Sequence, residues 1–218
     1  MTVMDAGAPL AKPLWRGRIH QVAFFVSIPA GVALVLVADG WVARVAASVY
    51  AISLVALFGA SAAYHRGRWT PTALRRMKRL DHSMIFVLIA GSYTPVALLA
   101  LDGPWRIVIL SIVWTGAATG IVLKLVRIDG FHVLTGALYM VLGWLVVIAF
   151  PTMIQGMPPA ALVLAIVGGV LYTAGAIVFA TRHPNPAPSV FGYHEVWHAF
   201  MVAAAACHFA MITILVSV

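Results

Sequence analysis

The sequence predicts an all-α, polytopic membrane protein with seven transmembrane helices, its N-terminus inside and its C-terminus outside. Three observations lead there. The first is composition. Of 218 residues, 63% are hydrophobic and only 9% are Asp, Glu, Lys or Arg, whereas a soluble globular domain carries about 25% charged residues. So few charges cannot cover a water-facing surface, which excludes the soluble and disordered classes. The second is patterning. The apolar residues gather into seven runs, each close to the length of about 20 residues that crosses a bilayer as a helix. None alternates apolar and polar side chains like the strands of a membrane barrel. The third is where the basic residues fall.

The runs follow in order. The first, 21–40, comes after Lys12, Arg16 and Arg18. Its apolar stretch is too long for the core of a signal peptide, and no clean cleavage site follows, so it is expected to stay as a span. The second, 42–65, ends with Ser61 and His65. The third, 82–101, begins beside Asp81 and His82, after a connection holding Arg66, Arg68, Arg75, Arg76, Lys78 and Arg79. The fourth, fifth and sixth are 105–125, 131–150 and 159–180. The segment from Arg182 to Pro188 is too rich in proline to be helical. The seventh run, 194–217, opens with His194-Glu195-Val196-Trp197-His198. Together these make a single integral membrane domain over 1–218, with no room for a soluble one. The lone cysteine, Cys207, cannot form an internal disulfide.

With 14 Lys and Arg against 6 Asp and Glu, the formal charge is +8. If the spans alternate in direction, every base except Arg44 and Arg106 falls on the N-terminal side. The positive-inside rule then explains the excess and sets the orientation. The expected location is the cell (plasma) membrane, multi-pass. The expected partner is the lipid bilayer, with no nucleic acid; protein partners are unknown.

An ionisable group within a span costs at least about 2.5–3.5 kcal/mol, so it has either a partner or a function. His65, Asp81, His82, His194, Glu195 and His198 all lie at span ends on the N-terminal side. Histidines 194 and 198 share one helical face, about 6 Å apart in rise, and can hold one metal ion. His65 has the chemistry and depth of a third ligand, and Ser61 lies one turn before it. Three neutral imidazoles with one open position describe a catalytic zinc site. Asp81 is then the general base toward water, or orients a ligand. As a carboxylate at a predicted helix start it also suits a cap. The last string is a literal H-E-x-x-H, the pattern of soluble zinc proteases. Glu195, however, sits about 100° around the helix from His194 and is expected to meet a neighbouring helix or cap the N-terminus. His20, His132 and His183 are expected as interfacial side chains, His82 as a cap or pair, and His208 as a helix-to-helix hydrogen bond.

These residues resemble the haemolysin III family, the bacterial branch of the progestin and adipoQ receptors, within an alkaline ceramidase-like superfamily. The resemblance rests on Ser61-Ala62-Ala63-Tyr64-His65, on Leu80-Asp81-His82-Ser83-Met84-Ile85, and on Ala90-Gly91-Ser92-Tyr93-Thr94-Pro95. His194 to His198 and Cys207-His208-Phe209 complete it. It implies zinc at His65, His194 and His198, with Asp81 and Ser61 as the further site residues. It also implies a zinc-dependent hydrolase of a lipid amide, ceramide-like, at the cytoplasmic leaflet. The alternative is a haemolysin-like cytolytic or pore-forming protein with a structural zinc. Helical histidines could also hold haem. Retinal is excluded, because the last lysine is Lys124 and the seventh run has none.

Overall fold

A computed structural model describes residues 12–217, the side chain of His132 apart. The expectation placed on His132 and the ends of the 1–218 domain lie outside the described residues. The chain folds into α1 (Arg18–Val37), α2 (Gly40–Arg66), α3 (Pro71–Ala100), α4 (Pro104–Val126), α5 (His132–Trp144), a 3-10 segment (Leu145–Ala149), α6 (Phe150–Gly156), α7 (Pro159–Thr181) and α8 (Tyr193–Val216). Among the described residues, seven spans are long and apolar enough to cross a membrane, and there is no strand beyond one isolated bridge, Ala187 to Phe191. The all-helical, seven-span expectation is met.

Two elements differ from the sequence reading. Helix α3 begins at Pro71, not at residue 82. Thr70 caps it, its hydroxyl accepting the Ala73 N–H at 3.3 Å, and Pro71 occupies the first turn, where its missing N–H costs nothing. With 30 residues the helix is about 45 Å long, against about 30 Å of hydrocarbon. Its first turns, carrying Arg75, Arg76, Lys78 and Arg79, therefore rise out of the apolar layer. Asp81 lies well inside the helix, so it does not cap a helix start.

The fifth span is the second difference. It runs on to Gly156 and is interrupted mid-membrane by the 3-10 segment. Pro151 brings no N–H to the α ladder. The Tyr93 hydroxyl, from α3, enters the gap: it donates to the Gly143 carbonyl at 2.9 Å and accepts the Val146 N–H at 2.8 Å. Lipid offers no water to satisfy freed backbone groups, so a side chain does it.

Packing follows from small residues. Helix α2 buries Ala43, Ala46, Ala47, Ala51, Ala60 and Ala62 along its contact faces, the close-approach chemistry of membrane helices. A Cβ at Gly91 of α3 would run into the Ser53 hydroxyl of α2. The α2–α3 pair is the most buried part of the bundle. Helix α1 lies on α2, α4 on α3, and α7 on α8; α8 also meets α1, α2 and α3. Large apolar side chains of α1 and α7, such as Phe25, Val26, Val163 and Ile177, are exposed and face the space that lipid fills. Helices α1, α2, α3 and α8 thus converge at the end of the bundle from which α1 starts.

Candidate metal centre

His65 sits on the last turn of α2, and His194 and His198 on the first two turns of α8. One ring nitrogen from each lies within 4.8 Å of the others. The closest pair, His65 Nε2 and His194 Nε2, is 3.2 Å apart. Two nitrogens bound to one tetrahedral zinc at about 2.0–2.1 Å would be about 3.3 Å apart. The donor set therefore fits a metal ion: three imidazoles, two of them one turn apart on a common face and the third from another helix.

Ser61, one turn before His65, is 2% exposed. Asp81 is also buried, with one oxygen 3.5 Å from His82 Nδ1. A cavity of about 280 Å³ opens among these groups. His65, Asp81, His82 and His194 line it, with Phe179 and Trp197 as aromatic wall and Lys12 and Arg16 at its edge. His82 also bonds its own helix through the Lys78 carbonyl at 2.9 Å.

Glu195 does not reach the cavity. It is 1% exposed. One carboxylate oxygen accepts from Arg16 Nε at 2.5 Å and the other accepts the Gly192 N–H at 2.9 Å. The residue holds the start of α8, half of a capping box, and the literal protease reading of the motif falls. Arg16 belongs to a short strap ahead of α1. There the Leu14 N–H donates to the Ser189 carbonyl at 3.1 Å and the Trp15 N–H to the Val190 carbonyl at 3.0 Å. The strap ends at Gly17, whose φ of +76° and lack of a Cβ let it lie against His65; a Cβ there would fall 2.6 Å from His65 Cβ.

Sequence reasoning missed His20. Expected as an interfacial side chain, it is 3% exposed. Its ring stacks on His198 with centroids 3.7 Å apart and planes 1° from parallel, and its Nδ1 is 2.8 Å from Ser61 Oγ. The signal was present: the buried face of α1 reads His20, Ala23, Ser27, Gly31, Leu34, a polar and small stripe at helical spacing among bulky residues. His208 does what was expected of it, bonding the Ala165 carbonyl of α7 at 3.4 Å. His183 is exposed and bonds the Thr181 carbonyl.

Fold and site together define a multi-pass membrane protein with a cluster of three histidines that could bind a metal ion at one end of its bundle. The family described as Haemolysin-III related matches residues 9–209, and the chain belongs to it. It is 32% identical over 193 residues to the Hemolysin-3 homolog of Bacillus subtilis, covering 87% of each chain. It is equally similar to the Hemolysin-3 of Bacillus cereus, covering 87% of this chain and 85% of that one. A more distant relative is the human Monocyte to macrophage differentiation factor, 27% identical over 177 residues, 78% of this chain and 70% of the other. The relation to the progestin and adipoQ receptor proteins expected from the sequence motifs stands with it.

Proposed function

We propose that this protein is a zinc-dependent membrane hydrolase acting on a lipid amide at the cytoplasmic leaflet. The observation that carries the reading is the sharing of one cavity by His65, His194 and Asp81, with His198 grouped at ligand distance from the two histidines. His65, His194 and His198 are the ligands. Zinc held there supplies Lewis acidity toward a carbonyl and toward water. Asp81 accepts the proton of the attacking water. The Ser61 hydroxyl, one turn before His65, donates to the oxygen that gains charge as the carbonyl becomes tetrahedral. Water adds across the C–N bond, giving a carboxylic acid and an amine, and the proton taken by Asp81 returns to the leaving nitrogen. The aromatic wall of Phe179 and Trp197 suits the apolar part of a substrate. The basic first turns of α3 suit the inner leaflet, whose anionic head groups attract them.

The name Hemolysin-3 of the Bacillus cereus relative favours a second reading, a cytolytic protein in which the metal is structural. One experiment separates them. Purified wild type should carry stoichiometric zinc and release fatty acid from one member of a panel of lipid amides in liposomes. His65→Ala and His198→Ala should lose both zinc and release. Zinc without fatty acid release, together with dye leakage from the same liposomes, favours the cytolytic reading. A wild type without transition metal removes both.

A further inference from the structure

We propose that His20 is a positioning residue of this centre, holding the Ser61 hydroxyl in place one turn before His65 and bracing the ring of His198. The claim rests on the hydrolase reading for its kinetic consequence but not for its structural one. Other helical hydroxyls in this bundle turn back on their own helix: Ser48 bonds the Arg44 carbonyl, Thr94 that of Ala90, Thr119 that of Thr115 and Thr173 that of Gly169. This is the default for Ser and Thr inside helices. Ser61 instead meets His20 Nδ1 at 2.8 Å. The other ring nitrogen of His20, Nε2, is buried with no hydrogen-bond partner. The flat face of His20 braces His198 at the same time, and Phe58 closes the other side with ring centroids 5.1 Å apart. His20 therefore touches two parts of the centre while standing outside the group of three that share ligand distance.

Two substitutions separate the roles. His20→Phe keeps a ring against His198 and loses the bond to Ser61. His20→Asn keeps a polar side chain for that bond and loses the stack. In the full-length protein in detergent, His20→Phe is expected to retain stoichiometric zinc and the visible spectrum of the cobalt-substituted form. Its kcat for fatty acid release falls about tenfold to a hundredfold, as for other outer-shell partners, with KM unchanged; His20→Asn recovers most of the loss. A readout without turnover is the thermal midpoint. The shifts caused by His20→Phe and Ser61→Ala should fail to add in the double variant, because both remove one bond. Additive shifts overturn the proposal, as does a wild-type kcat in His20→Phe. So does loss of zinc from His20→Phe but not from His20→Asn. Non-additive shifts in a protein that releases no fatty acid leave the His20–Ser61 bond standing and remove the hydrolase reading alone.

Discussion

At Gly17 two constraints meet, a left-handed backbone and contact with His65. Gly40 has the same backbone sign, with φ of +75°, but open space around the position of a Cβ. The pair makes a controlled comparison. Each change to Ala costs the strain of the left-handed conformation, about 1–2 kcal/mol. Only Gly17→Ala also pushes on His65. It is expected to weaken zinc binding, measured by competition with a chelator of known affinity, while Gly40→Ala lowers the thermal midpoint and leaves zinc affinity alone. Glu195→Gln offers the matching test on α8. The substitution strips Arg16 of its anion and should cost about 1–3 kcal/mol of stability, read from the thermal midpoint, with fatty acid release retained in the folded fraction. If Glu195 were the catalytic base, release would vanish while zinc stayed. The three imidazoles were legible in the sequence because His194 and His198 obey helical spacing and His65 closes a span ending at the same side. His20 was not, because a histidine beside a basic flank looks like a head-group anchor; only the partner helices show that its face is inward. Asp81 was placed at a helix start because hydropathy sees apolar length and not the cap at Thr70.

On the scale of helices, the fifth span depends on one phenol. The Tyr93 hydroxyl is both donor to Gly143 and acceptor from Val146. Tyr93→Phe leaves two backbone groups without partners in an apolar surrounding, a loss of about 1–3 kcal/mol for each group left unpaired. Its thermal midpoint should drop well below that of Tyr139→Phe, whose hydroxyl serves a single carbonyl, that of His82. Equal drops for the two would contradict the splice. The break itself was hidden in sequence. Pro151 announces an interruption, but proline is common in membrane helices, and its repair comes from a residue more than fifty positions away. The long first turns of α3 were hidden for the opposite reason: the charges that read as a loop are carried on a helix rising clear of the hydrocarbon.

For the molecule as a whole, a metal ion at this centre would tie α2 to α8, elements from opposite ends of the chain. Binding to the folded state alone stabilises it by about 2.7 kcal/mol at a hundredfold excess over Kd. Stripping the protein with a chelator should therefore lower the thermal midpoint of wild type and leave that of His65→Ala unchanged. Protons compete for imidazole nitrogens, so the metal-dependent part of the stability is present at neutral pH and shrinks on acidification. A chelator effect that persists undiminished in acid would point to ligands other than histidine. Span number and the gathering of bases at one end were readable from composition and order, since both follow from the solvent the chain must satisfy. The convergence of α2, α3 and α8 was readable only as a shared depth, and the part of α1 in it not at all; which faces turn together is decided by alanine and glycine contacts that hydropathy does not register.

The strap ahead of α1 is held to the segment that leads into α8 through Leu14 and Trp15 and to α8 itself through Arg16, and two of the three clustered histidines lie on the first turns of that helix. A metal centre built from these side chains would therefore be a late event of biogenesis: until α8 stands beside α2, His65 is without the two imidazoles that complete the group.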